Sequence, residues 1–204
     1  MTEAKQQTDR KLVAAMPEGL KALMERAGEQ RSLPPIEKWD PPFCGDLDMQ
    51  IKRDGSWYYM GTPIRREALS RLFSSVLKRE EDGKYYLVTP VEKVGLTVED
   101  APFVIVEMEN VKRPEGPTLI LRSNMGDVVE AGAQHPLRFS ADTKDGGFKP
   151  YVRIRGNLDG LFNRQLAQQL AEFIEERNID GALQIGIESG GQFFPIEIEG
   201  EGRS

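Results

Sequence analysis

The chain has 204 residues, one cysteine, a formal net charge of −6 and 29% charged residues, enough length for one good hydrophobic core or two small ones. The acidic balance disfavours bulk nucleic-acid binding, and a lone cysteine excludes an intramolecular disulfide framework and fits a reducing compartment. No apolar run approaches the roughly 20 residues that cross a bilayer, and residues 1 to 34 hold no secretory leader, so the composition reads as a soluble cytoplasmic protein.

In chain order, residues 9 to 28 place Leu12, Val13, Met16, Leu20, Leu23 and Met24 on one helical side, interrupted at Pro17, where a second short helix can begin. Residues 1–34 therefore read as a helical brace docked on the main body, with a partner-binding arm as the alternative. LPPIEKWDPPFCGD, residues 33 to 46, is a stiff proline-rich connector that Trp39 and Phe43 anchor. Asp54-Gly55 lies between short apolar runs as a hairpin turn does. From Ile64 the period becomes helical: Ile64, Ala68, Leu69, Leu72, Phe73, Val76 and Leu77 form one stripe, with Thr62 as its cap and Pro63 as the first helical residue. Burying that stripe contributes about 10 kcal/mol before entropy, so the helix must rest on sheet.

Strands are expected at Tyr85 to Thr89, over the alternating Val94, Leu96 and Val98, at Phe103 to Met108, at Thr118 to Arg122, around Leu137 and Phe139, and at Tyr151 to Ile154. A second helix is read from a cap at Asn157, with Leu158, Leu161, Phe162, Leu166, Leu170, Phe173 and Ile174 as its stripe and Gly160 weakening its first turn. A last hairpin turns at Ser189-Gly190-Gly191. Residues 46 to 80 and 135 to 177 share the order strand, Asp-Gly turn, aromatic strand, basic residues, helix. The expected fold is α+β with duplicated strand-strand-helix units. Its parts are a helical segment at 1–34, an α+β domain at 35–83 and a β-rich domain at 84–199 with a helix at 157–177. The seam between the two units is where a ligand would meet groups from both.

Catalytic signals are sparse. His135 stands alone, and a metal site would have to gather it with Cys44 and Asp46 or Asp48 from distant parts of the chain. Cys44 reads as a small buried apolar group, and the Asp46/Asp48 pair as partners for Lys52 or Arg53, with a hard-cation site as the alternative. Neither glycine-rich nucleotide cradle is present. Basic residues are more suggestive. Arg65 and Arg66 fall at the start of the first long helix, where cations oppose the dipole and an acid or a bound phosphate compensates. Arg153 and Arg155 alternate just before the second helix, and with Trp57, Tyr59 and Tyr151 they form an aromatic and guanidinium set suited to a base and its phosphates.

The stretch CGDLDMQIKRDGSWYYMGTPIRREALSRLFSSVLKREEDGKYYLVTPVEKVGLTVEDAPF resembles the defining segment of a bacterial family catalogued as domain of unknown function 1285. The resemblance continues through NMGDVVEAGAQHPLRF at 124 to 139, GGFKPYVRIRGNLDGLF at 146 to 162 and SGGQFFPI at 189 to 196. It implies a duplicated core, a C-terminal domain like a pleckstrin-homology barrel, and a pocket between domains for a nucleotide-like compound in a signalling role. On that basis the expected protein is a noncatalytic sensor or adaptor for a small anionic ligand, with no cofactor. Arg66, Lys93, Arg138 and Arg153 supply charge, Trp57 or Tyr151 a stacking surface, and Asn124 or Asp127 directional hydrogen bonds. The alternatives are a scaffold that binds a protein partner and, after it, a metal-assisted enzyme using Asp46 and Asp48.

Overall fold

The computed structural model describes residues 16–26, 33–141 and 148–196. Leu12, Val13 and the Asp145-Gly146-Gly147 turn lie outside them. The chain divides into two compact units, Met1–Asp100 and Ala101–Ser204. No described helix is long and apolar enough to cross a membrane.

In the first unit, helix α1 (Glu18–Arg26) follows Pro17, and a short 3-10 turn (Ile36–Lys38) follows in the proline-rich connector. Then come β1 (Phe43–Ile51), β2 (Trp57–Tyr59), β3 (Thr62–Pro63), α2 (Glu67–Ser75), β4 (Leu77–Arg79), β5 (Tyr85–Val88) and β6 (Lys93–Val98). The strands form one sheet in the order β3-β2-β1-β6-β5-β4, in which β1 and β6 are parallel. The expected hairpin is present: β1 pairs with β2, and Asp54 Oδ1 accepts from the Ser56 N–H at 2.9 Å. Because β5 and β6 ladder with β4 and β1, this unit runs to Asp100 rather than ending at residue 83.

Helix α2 is shorter than its apolar stripe. Thr62 and Pro63 pair with Tyr59 and Tyr58 as a strand, so neither starts the helix; Arg66 is the N-cap and makes no side-chain capping bond. At the other end the Ser74 and Ser75 hydroxyls donate to the carbonyls of Arg71 (2.8 Å) and Leu72 (2.6 Å), side-chain bonds that compete with regular helical packing. Leu77 then enters β4 opposite Leu87. The helix buries Leu69 and Phe73, and the Phe73 ring lies 6.1 Å from that of Trp57.

The second unit contains β7 (Phe103–Arg113), β8 (Gly116–Ser123), β9 (Val128–Glu130), β10 (Leu137–Ala141), β11 (Phe148–Arg155), β12 (Leu158–Phe162), α3 (Arg164–Ala171), β13 (Ile174–Ile179), β14 (Ala182–Ser189) and β15 (Gln192–Pro195). Its larger sheet runs β10-β11-β12-β7-β8-β9, with β7 and β12 parallel. Counted from its own first strand, each six-stranded sheet has the order 3-2-1-6-5-4 and a parallel pair of first and last strands. The duplication is therefore real, but it pairs β1–β6 with β7–β12, a phase different from residues 46 to 80 against 135 to 177. Strands dominate, and the helices attach at different points: α2 between the third and fourth strands, α3 after the sixth.

The second helix also begins later than its apolar residues suggest. Leu158 to Phe162 form a strand buried along its whole length, paired with β11 on one side and parallel to β7 on the other. A strand enclosed in this way carries no period of two, and this one is apolar apart from Asp159. Asn163, not Asn157, caps α3, its Oδ1 accepting from the Leu166 N–H at 2.9 Å. Gly160 stands in a sheet, where a Cβ would come within 2.7 Å of Ile105 Cδ1.

Strands β13, β14 and β15 form a separate antiparallel sheet. Buried Ser189 joins it to the larger sheet, its Oγ accepting from the Leu119 N–H (2.9 Å) and donating to the Ala131 carbonyl (2.7 Å).

Candidate functional site

In the first unit two of the expected ligand residues, Trp57 and Lys93, serve the fold. Trp57 is 1% exposed and packed on Phe73, so its ring has no face for a ligand. Lys93 pairs with Glu80 at 3.0 Å, and its ammonium lies 4.9 Å from the centre of the Tyr86 ring. The Tyr86 hydroxyl donates to Asp82 at 2.7 Å; that bond, then burial, pushes its pKa up to about 12. Arg65 and Arg66 are exposed, and neither side chain has a partner among the described residues. Arg66 lies at the cap rather than within the first turn, and Glu67 supplies an acid beside it, so the conflict with the dipole is smaller than the sequence suggests.

Asp46 and Asp48 are exposed on β1. They do not pair with Lys52 and Arg53. Lys52 bonds Glu99 at 2.7 Å, and Arg53 lies 3.7 Å from Asp100. The Asp46 carboxylate instead lies over Gly95 on β6, where a Cβ would stand 2.0 Å from its Oδ1. Cys44 is exposed rather than buried, its thiol 3.5 Å from the Pro42 carbonyl, because the outer half of β1 faces solvent. Among the described residues no three His, Cys, Asp or Glu side chains gather as a metal site.

In the second unit, Asn124 and Asp127 hold a turn. The Asn124 Oδ1 accepts from the Val104 N–H at 3.0 Å, and the Asn124 N–H donates to the Val104 carbonyl at 2.8 Å. Asp127 accepts from the Ser123 hydroxyl at 2.9 Å and pairs with Arg155, whose guanidinium lies 4.8 Å from the centre of the Phe103 ring. Burial lowers the Arg155 pKa, and the Asp127 charge opposes that shift.

The remaining three come together. Register places Arg138 opposite Tyr151 and Arg153 opposite Asp159, with Tyr151 and Arg153 two apart on β11, so all four side chains share one face of the sheet. The Arg138 guanidinium lies 4.1 Å from the centre of the Tyr151 ring, and Tyr151 is itself buried, so this ring stacks on the protein's own arginine. Asp159 is 8% exposed; it accepts from Arg153 Nε at 2.7 Å and from Arg138 at 3.3 Å. Arg153 has further acceptors in the Gly156 carbonyl (2.9 Å) and Asn157 Oδ1 (3.5 Å), whereas the side chain of Arg138 is 53% exposed. His135 abuts the group, its Nδ1 2.9 Å from the Arg153 carbonyl.

Asp159 is the residue that sequence reasoning missed. Its signal was present: a lone carboxylate inside the apolar run Leu158 to Phe162, following two alternating arginines, is a buried acid that requires cations. Reading that run as a helix hid the register that places Asp159 opposite Arg153.

The fold and this cluster define a duplicated β protein whose second sheet carries two arginines anchored on one buried acid. Family models match the chain in two parts: "Domain of unknown function (DUF1285), N-terminal domain" over residues 34–101, and "Protein of unknown function (DUF1285), C-terminal domain" over residues 102–196. The chain belongs to the DUF1285 family. A crystal structure of a DUF1285 family protein from Silicibacter pomeroyi DSS-3 is 43% identical and superposes with a TM-score of 0.76, over 85% of this chain and 93% of that one. A second, from Shewanella baltica OS155, is 29% identical over 62% of this chain and 91% of its own, with a TM-score of 0.48. No curated protein matches.

Proposed function

We propose that the protein is a noncatalytic cytoplasmic sensor that binds a small anionic, nucleotide-like ligand through its second unit, with Arg138 as the primary contact. One observation carries this reading: two guanidinium groups share the single buried carboxylate of Asp159. Two positive charges against one negative leave a formal charge of +1, which a ligand anion neutralises. Arg138 is also prepared for the role. Stacking on Tyr151 and the Asp159 tether limit its rotamers, and it retains donors for a bidentate oxyanion. The proposed ligand set is thus narrower than the sequence suggests. Trp57, Lys93, Asn124, Asp127 and Tyr151 act in the fold, and Arg153 orients the carboxylate that tethers Arg138. A pleckstrin-homology-like character of the second unit belongs to the same proposal, supported by the β7–β9 meander and by Ser189 joining a second meander to it.

Calorimetric titration of the full chain with inorganic phosphate and nucleoside monophosphates tests this reading. Binding below millimolar, weakened at least tenfold in Arg138→Ala, is the expected result. No binding below millimolar, or equal binding by the variant, overturns it.

A second reading, a protein-binding scaffold with a signalling role, rests on Leu183 and Ile185. They are 67% and 42% exposed and, two apart on β14, share one face of the small sheet.

A further inference from the structure

The Thr89–Glu92 turn of the first unit has chemistry that the anion reading leaves unused. Thr89 is 1% exposed; its Oγ1 accepts from the Glu92 N–H at 3.1 Å and lies 3.2 Å from the Glu92 carbonyl, which also accepts from the Thr89 N–H at 2.9 Å. The turn is thereby fixed, and it aims the Glu92 carboxylate at the first turn of α1, where Oε1 accepts from the Leu20 N–H at 3.1 Å. A carboxylate in that place satisfies an N–H with no intrahelical acceptor and faces the positive end of the helix dipole.

Gly19 makes this approach possible. A Cβ on it would stand 2.6 Å from both Glu92 Oε1 and Thr89 Oγ1. Glycine inside a helix is less favourable than alanine, so α1 gives up helix propensity where it meets the turn. Leu20 and Met16 are buried at 0% and 3% exposure beside it. Among the described side chains of α1 and the two residues before it, the buried apolar groups, the glycine and the N–H bonded to Glu92 therefore lie within Met16 to Leu20. This short segment precedes the family domain, which begins at residue 34 and contains Thr89 and Glu92.

We propose that the Thr89–Glu92 turn is a recognition site for a helix N-terminus with glycine second and leucine third, and that α1 occupies it as a dissociable ligand in cis. The turn and the helix are two halves of a peptide-binding pair on one chain.

Two measurements on the full chain test this. In wild type, the Leu20 amide is expected to exchange with solvent at least tenfold faster than the core amide of Leu87, through an opening smaller than global unfolding; equal rates for the two amides overturn the proposal. In the Gly19→Ala chain, α1 is unseated, and a fluorescent peptide of residues 14–28 is expected to bind at least tenfold more tightly than to wild type, whose tethered helix competes. That binding is lost when the peptide itself carries Gly19→Ala or when the Gly19→Ala chain also carries Glu92→Ala. A Gly19→Ala chain that binds the peptide no better than wild type, or binds both peptides equally, overturns the proposal. Should that variant not fold, the wild-type exchange rates decide.

Discussion

Gly95 and Gly160 each stand third in the last strand of a six-stranded sheet, on the parallel pair that joins its two halves, yet different neighbours fill the space beside them. In the first unit it is the exposed Asp46 carboxylate; in the second it is the side chain of Ile105, which is fully buried. The same contrast extends to the charges. In the first unit Lys52 pairs with Glu99 with both side chains more than a third exposed, whereas in the second Asp127 and Arg155 pair in a more enclosed position. One topology thus places an exposed acid beside its third-position glycine in one copy and a buried isoleucine in the other. Strand order sets the backbone, and the side chains at equivalent positions decide what each copy does.

Four substitutions probe that contrast, from the largest expected effect to the smallest. Asp127→Ala leaves Arg155 without its carboxylate in a position where burial already penalises its charge. Removing one member of an enclosed pair typically costs about 3 kcal/mol or more, and urea denaturation should show a loss of that order. A loss below about 1 kcal/mol would place this pair with the solvated ones.

The two glycines divide next. Gly160→Ala forces a methyl against Ile105 in a packed interior and should cost about 1–3 kcal/mol. Gly95→Ala meets only the end of an exposed acid that can swing into water, and should cost less than about 1 kcal/mol. Thermal unfolding of both variants checks this, and equal costs would break the comparison.

The smallest effect is one of pH. Hydrogen bonds from the Ser56 side chain and backbone hold the Asp54 pKa below its ordinary value, and the bond from Lys52 does the same for Glu99. Each group's folded pKa is depressed, so its contribution is present above the unfolded values of 3.8 and 4.5 and is lost as pH falls through the folded ones. Acid titration monitored by amide exchange should loosen the β1–β2 hairpin below about pH 4, and Asp54→Asn should flatten that dependence.

Much of the first unit was legible because its signals are local. Asp54-Gly55 turns where its chemistry requires, and of the stripe from Ile64 to Leu77 the helix itself buries Leu69 and Phe73, while Ala68 is exposed. The ends of α2 were not legible, since Thr62-Pro63 can open a helix or pair as a strand, and only the partner strand β2 decides. The run Leu158 to Phe162 misled for a related reason: a short apolar stretch without period fits a buried helix or an interior strand. The candidate site divides in the same way. Alternation put Arg153 on a strand, as in β11, and aromatic character drew attention to Tyr151, but nothing near Trp57 showed that α2 would cover its ring.

The sequence by itself determined the Asp54-Gly55 turn, the buried side of α2 at Leu69 and Phe73 and the presence of a duplicated plan, because each depends on the spacing of neighbouring residues. Only the tertiary structure decided the phase of that duplication, the parallel pairing of first and last strands, and which acid each arginine meets. Those depend on contacts between residues far apart in the chain, and register across a strand pair sets them.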